Sequence, residues 1–225
     1  MNRRALLTLV TAALFTVSCG QPALAEGTMA TPEAAVPARE TAGLKTAIFA
    51  GGCFWGVEAV FSHVKGVTSV VSGYHGGSGA TANYDRVGRG DAGHAEAVRV
   101  TYDPQVVRYD QLLRVFFAVA TDPTQLNRQG PDVGTQYRNA VVPMNREQTR
   151  VLAGYLAQLD VLDLWHRPLV TRTEAYRRFY PAEDYHQDFA HRNPNHGYIR
   201  RWDAPKVAAL KRMFPGLWKE RFTTG

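Results

Sequence analysis

Apolar and polar positions along the chain alternate between two periods, and the changes of period mark out the elements. Residues 45–50 (Lys-Thr-Ala-Ile-Phe-Ala) form a short apolar run that reads as a buried strand, and Gly51-Gly52 breaks it. From Phe54 the apolar residues Phe54, Val57, Val60, Phe61 and Val64 recur at helical spacing as far as Gly66. Residues 67–74 and 94–102 alternate as strands, the second stopped by Asp103-Pro104. Between them, 75–90 is rich in Gly, Asn, Ser and Asp and predicts a long loop, a length more often found where a loop has a task. Leu112, Leu113, Phe116 and Phe117 place a helix over 109–120, and 122–134 reads as a second loop. A strand over 137–143, a helix over 145–159 with Asn145 as its N-cap, and a last strand over 169–173 follow. The stretch 179–196 is rich in aromatics and histidine and has no period. Strands and helices in alternation predict a mixed α/β domain with helices packed on a sheet; periodicity does not give the strand order.

The ends read differently. Arg3-Arg4, an apolar run over 5–17 and Ala23-Leu24-Ala25 have the layout of a signal peptide over 1–25, and predict export, to the periplasm. Thr16-Val17-Ser18-Cys19-Gly20 also resembles a lipoprotein signal, so membrane anchoring through a lipidated Cys19 is the alternative. Residues 26–43 carry Ala, Pro, Thr and Glu without an apolar period and read as a flexible linker. The domain is expected over 44–210, with 211–225 as a C-terminal tail.

Composition narrows the function. The apolar share of 45% and charged share of 20% are those of a soluble globular chain. The net charge of +6 includes Arg3 and Arg4, leaving about +4 once a leader is removed, with no basic cluster interleaved with aromatics. Nucleic-acid binding is therefore not expected.

Cysteine usage carries more. The chain has two cysteines, and Cys19 lies in the leader, so Cys53 is expected to stand alone after processing. It falls at a helix start, where free N–H groups and the positive end of the helix dipole favour a thiolate and a lowered pKa. The residues alone leave several uses open. Cys53 could be a nucleophile or a buried small hydrophobe. With His94 or His186 as base it could serve acyl transfer. A non-catalytic module that binds oxidised side chains is a third reading. No Cys/His pair has zinc-ligand spacing, so no metal is expected.

Four blocks then make the chain recognisable: Gly-Gly-Cys-Phe-Trp-Gly-Val-Glu (51–58), Ser-Gly-Tyr-His-Gly-Gly (72–77), Gly-His-Ala-Glu-Ala-Val (93–98) and Gly-Thr-Gln-Tyr-Arg (134–138). In order and spacing they resemble the signature blocks of the peptide methionine sulfoxide reductase A family. Tyr-Asp-Pro (102–104), Tyr-His-Gln (185–187) and Asn-Pro (193–194) extend the resemblance over 45 to about 205.

The resemblance implies a single two-layer α/β (α+β) domain with a ferredoxin-like core, and thiol-dependent reduction of methionine-S-sulfoxide, free or in proteins. Carried over by position, Cys53 is the nucleophile, Glu96 the acid, and Tyr84 and Tyr137 hydrogen-bond the sulfoxide oxygen. Phe54 and Trp55 hold the substrate methyl group, and Asp132 is a further polar residue at the site. The chemistry is coherent: a thiolate attacking the sulfur needs the oxygen protonated as it leaves, and a carboxylic acid can do this only where burial keeps it protonated. A carboxylate in a strand ordinarily faces solvent, so this role for Glu96 rests on the resemblance. The implied product is methionine and a sulfenic acid on Cys53.

The chain departs from the family pattern after Asn193-Pro194. Tyr198 is followed by Ile199, where many members place a resolving cysteine, and no cysteine occurs through Gly225. The expected enzyme is thus the one-cysteine type: no bound cofactor, a monomer, regenerated by an external thiol, either thioredoxin-like or small.

Overall fold

The computed structural model describes residues 28–225; the leader features, Cys19 included, lie outside the described residues. Strand β1 (Lys45–Gly51) enters the first turn of helix α1 (Phe54–Ser62), which returns to β2 (Val67–His75). A short helix α2 (Tyr84–Val87) interrupts the predicted 75–90 loop before β3 (Ala95–Tyr102) and α3 (Tyr109–Val115), which continues as a π-turn over Phe116–Ala120. A two-residue-per-strand hairpin, β4 (Arg128–Gln129) and β5 (Asp132–Val133), precedes β6 (Asn139–Val142). Helix α4 (Arg146–Leu162) follows, capped as expected by Asn145, whose side chain accepts from Gln148 N at 2.9 Å. The chain ends through β7 (Arg172–Thr173), β8 (Phe179–Pro181), α5 (Phe189–Arg192) and α6 (Ala204–Met213). The last strand and both C-terminal helices lack a sequence period because they are short or broken by turns, and their burial is set by the rest of the fold.

The main sheet has the order β7-β6-β1-β3-β2-β8. Its inner four strands are antiparallel, and with α1 and the α3 segment they make the βαββαβ unit of a ferredoxin-like fold. Alternation sorts the side chains onto two faces. Phe49, Val70, Val98 and Val100 meet Val57, Val60 and Phe61 of α1 and Leu113 and Phe116 beside it, forming the large core. Phe49 stacks on Phe61 with ring centroids 4.7 Å apart. Ile48, Ala50, Ala95, Ala97 and Ala140 face the other way into a thinner cluster under Phe179.

The segment expected as a flexible linker is tied down over its described part. Met29 N donates to Ala118 O at 2.8 Å, and Ala38 N to Asp110 Oδ1 at 2.9 Å. Glu40 accepts from Tyr102 Oη at 2.6 Å and from Tyr109 N at 2.9 Å. Its prolines and small residues deny it a regular element, but its backbone groups find partners on α3 and α4. At the other end, the Trp218 ring stacks on His63 at 4.5 Å and Lys219 N donates to His63 O at 2.8 Å, so the tail closes over the end of α1.

Candidate active site

Cys53 is the N-cap of α1 and is half-buried. The residues around it explain the glycines that flank it. Gly52 has φ +94, and a Cβ there would meet Gln129 Cβ at 2.3 Å. Gln129 is held in turn by Thr121 Oγ1 at 2.9 Å and the Asp122 carbonyl at 2.8 Å. A Cβ at Gly56, one turn into the helix, would sit 2.2 Å from Asp203 Oδ1. The Gly-Gly-Cys-Phe-Trp-Gly run therefore lets two other segments close on the thiol.

Glu96 shares a face of β3 with Val98 and Val100, so the period of 2 that buries those valines also buries its carboxylate, 2% exposed. It lies at the strand end nearest α1 and accepts a hydrogen bond from Phe54 N at 3.0 Å, taking one of the helix's free N–H groups. Burial outweighs that bond and, with the neighbouring Asp132, raises the pKa of Glu96 to about 8. At neutral pH it holds a proton.

Cys53 departs from the lowered pKa its position in the helix predicts. Its thiol is pushed well above its ordinary value by burial first, then by the charges of Glu96, Asp203 and Asp132; the Trp55 amide pulls the other way and loses. One helix N-terminus, partly spent on Glu96, does not compensate three nearby acids and the loss of water.

The two tyrosines arrive from separate segments. Tyr84 opens α2, which Asn83 caps by accepting from Arg86 N at 3.1 Å. Glu183 accepts from Tyr84 N at 2.9 Å and from Tyr74 Oη at 2.8 Å, pinning α2 to β2. Tyr137 ends a 3-10 turn fixed by Arg138, which donates to the carbonyls of Thr135 and Gly93 and pairs with Glu174 at 2.7 Å. That clamp ties the Tyr137 turn to the residues leading into Glu96. Burial, with Glu96 and the Cys53 thiol nearby, lifts Tyr84 to about 12 and Tyr137 further. Both are neutral hydrogen-bond donors at physiological pH.

Trp55 is partly buried and stacks on Phe189 at 3.9 Å, with the Tyr198 ring edge-on at 5.9 Å. Its Nε1 donates to His186 Nδ1 at 3.1 Å. Phe54, in contrast, is 1% exposed, packing on His186 at 5.0 Å and Tyr74 at 5.9 Å within the main core. Asp132 is hydrogen-bonded by Tyr198 Oη, and burial raises its pKa.

The structure thus gathers Cys53, Glu96, Tyr84, Tyr137, Trp55 and Asp132 at one end of the sheet, with Phe54 behind them. It also brings in His186, considered from the sequence only as a base for the thiol, and Tyr198 and Asp203, which sequence reasoning did not single out. His186 touches Phe54, Trp55 and Tyr84, the last at 4.4 Å. Tyr198 joins Asp132 to Trp55, and Asp203, 1% exposed and without a hydrogen-bond partner, rests on Gly56. The aromatic and histidine richness of 179–196 is the trace His186 leaves in the sequence; Tyr198 and Asp203 lie beyond that stretch and leave none.

The geometry does not favour a Cys-His pair. His94 binds Gly77 N at 3.2 Å and Ser78 O at 2.9 Å, and His186 Nδ1 is occupied by Trp55. Ile199 is buried against Ala59 and Ala190, and Cys53 is the only cysteine among the described residues.

Known proteins match this chain over most of its length. A family model described as peptide methionine sulfoxide reductase covers residues 45–216. A Mesorhizobium japonicum protein named peptide methionine sulfoxide reductase MsrA 2 is 55% identical over 179 residues, 80% of this chain and 92% of the relative. The MsrA of Deinococcus radiodurans is 50% identical over 168 residues, 75% and 81% of the two chains. Among solved structures, reduced Mxr1 of Saccharomyces cerevisiae aligns with a TM-score of 0.59 at 31% identity, over 69% of this chain and 92% of that one. Methionine sulfoxide reductase A of Corynebacterium diphtheriae aligns at 0.58 and 31%, over 76% and 88%. The chain belongs to the peptide methionine sulfoxide reductase family and is an oxidoreductase acting on the (S)-S-oxide of peptide methionine.

Proposed function

We propose that Cys53 attacks the sulfoxide sulfur while the thiol proton and the Glu96 proton leave with the oxygen as water; that water then adds to the Cys53 sulfur, expels the methionine thioether, leaves a Cys53 sulfenic acid and returns a proton to Glu96. The observation that carries this reading is the buried Glu96 carboxyl, held at the first amide of the helix that Cys53 caps and protonated at neutral pH. Because the thiol is also protonated at rest, it must lose its proton as the sulfoxide oxygen gains one, which places proton transfer and attack in the same step. Tyr84 and Tyr137 are neutral donors to the oxygen, stabilising developing charge without adding their own. Trp55 and Tyr198 wall the methyl group, with Phe54 as their backing.

The sulfenic acid has no second cysteine among the described residues to attack it. An external thiol, thioredoxin-like or small, forms a mixed disulfide with Cys53 and releases water; a second thiol frees Cys53 and leaves a disulfide. Over the cycle one sulfoxide and two thiols become one thioether, one disulfide and one water. The leader pattern over 1–25 supports repair of exported proteins, by a soluble or Cys19-anchored enzyme; N-terminal sequencing of the exported form separates the two.

The test is single-turnover reduction of N-acetyl-methionine sulfoxide, resolved by epimer, followed by a dimedone probe. The S epimer should be consumed and Cys53 labelled. Cys53→Ser should fold and lose essentially all turnover, since a hydroxyl is a poor nucleophile toward sulfur. A serine variant keeping a tenth of the parent rate overturns the assignment.

A further inference from the structure

The cleft at Cys53 does not end at the thiol. A cavity of about 230 Å³ holding Cys53, Asp132, Tyr198 and Lys206 adjoins an outer bay of about 440 Å³ that reaches Arg128. Gln125, Gly130, Pro131, Arg167 and Trp202 line both, so the two form a continuous path from the thiol to the surface. Gly130 has φ +55, and a Cβ there would lie 3.7 Å from the Trp202 ring, so the path narrows between a bare backbone and an indole face.

Charge is mixed in the inner cavity and one-sided in the outer bay, whose charged lining residues are Arg128 and Arg167. Arg167 is exposed and Lys206 partly so, and neither makes a hydrogen bond or ion pair with the described residues. Arg128 donates only to the Gly130 carbonyl, at 3.0 Å, and is otherwise exposed. Arg201 lies over the Trp202 ring at 5.0 Å and adds a further positive charge to the same wall. The two carboxylates of the inner cavity are already engaged. Asp122 accepts from Thr124 and Gln125, at 2.7–3.0 Å, and Asp132 from Tyr198. Lys206 acts on Asp132 and on Asp203, each of which also answers to burial. Lys206 is therefore shared with acids of the inner cavity, whereas Arg128 and Arg167, which line the outer bay, have no carboxylate partner among the described residues.

We propose that this bay binds the chain flanking the oxidised methionine through carboxylate side chains, so that the preferred substrates are acidic peptides. The proposal rests on the reductase reading of Cys53 and names the substrate class of that site. Extended chain advances about 3.4 Å per residue, so an Asp or Glu a few positions from the methionine sulfoxide is carried outward from the thiol toward Arg167 and Arg128. Each contact is a solvent-exposed ion pair and individually weak; the effect comes from several acting together and is screened by salt.

The experiment compares methionine-S-sulfoxide peptides carrying Asp, Asn or Lys at the flanking positions. At low ionic strength the Asp peptide should exceed the Asn peptide about tenfold in kcat/KM, and the Lys peptide should fall below both. The Asp preference should shrink to within about twofold in 0.5 M salt, and in an Arg128→Gln/Arg167→Gln double variant. Calorimetric binding of the same peptides to Cys53→Ser protein reads the bay without turnover and should show the same order. Equal binding of the three peptides, a preference for Lys, or an Asp preference that survives the double variant overturns the proposal. Loss of turnover with an intact binding order overturns the reductase mechanism instead and leaves the acidic bay standing.

Discussion

Glu96 is where burial turns an ordinary residue into a candidate acid. Its carboxyl keeps its proton until pH about 8 because water is excluded and Asp132 lies near; the Phe54 amide is too little to reverse this. As pH rises through 8 the proton is lost, so kcat/KM should fall on an alkaline limb centred there. Glu96→Gln keeps a hydrogen-bonding group but no transferable proton. Single-turnover rate should drop by roughly 10² to 10⁴ and the limb should vanish. A variant with parental kinetics and an unchanged profile makes Glu96 structural. Cys53 teaches the opposite lesson at the same scale. A helix N-terminus favours a thiolate, but here it is outweighed by desolvation and three neighbouring acids.

Among the elements, α1 buries a carboxyl without a hydrogen-bond partner. Glu58 is 0% exposed, and neither of its oxygens meets hydrogen-bond geometry. Ser72 and the Asp188 backbone lie close enough only to soften a pKa that burial lifts from 4.5 to about 8. The unfolded chain loses this proton above pH 4.5 while the folded chain keeps it, so Glu58 favours the fold at low pH and progressively opposes it up to pH 8. Glu58→Gln removes the titration. Its stability relative to the parent should rise between pH 5 and 8.5 by about 3–5 kcal/mol, read from chemical denaturation at each pH. Parallel curves would mean that the carboxyl ionises freely in the fold. The segment before β1 makes a second element-scale test. Glu40 joins Tyr102 of β3 to the first amide of α3, so Glu40→Ala should cost about 1–3 kcal/mol. A flexible linker would leave the denaturation midpoint where it was.

For the whole molecule, the single described cysteine sets the stoichiometry. Given substrate and no thiol, the protein should release about one methionine per chain and stop, with a dimedone-reactive Cys53 and no intramolecular disulfide by intact mass. Added thiol should restart turnover through a mixed disulfide. Two methionines per chain, or continued turnover without thiol, would reveal a second reducing group.

The sequence by itself determined a great deal of this. Period-2 and helical runs placed β1, α1, β2, β3, α3, β6 and α4, because each buries one face and burial is written residue by residue. The motif blocks carried Cys53, Phe54, Trp55, Glu96 and Tyr137, because each block is short and its members sit next to one another; Tyr84 and Asp132 lie outside the blocks and came by position from the same resemblance. What only the tertiary structure decided depends on distant segments meeting. The β6-β1-β3-β2 order of the inner strands comes from packing, which local pattern does not encode. His186, Tyr198 and Asp203 join the site from the C-terminal part of the chain through contacts with Phe54, Trp55 and Gly56 of α1, which local pattern does not encode. The pKa of Cys53 was misjudged from its local setting because electrostatics sums over neighbours from every element that closes around a site. The segment before β1 read as linker because hydrogen bonding to remote side chains leaves no mark on its own composition.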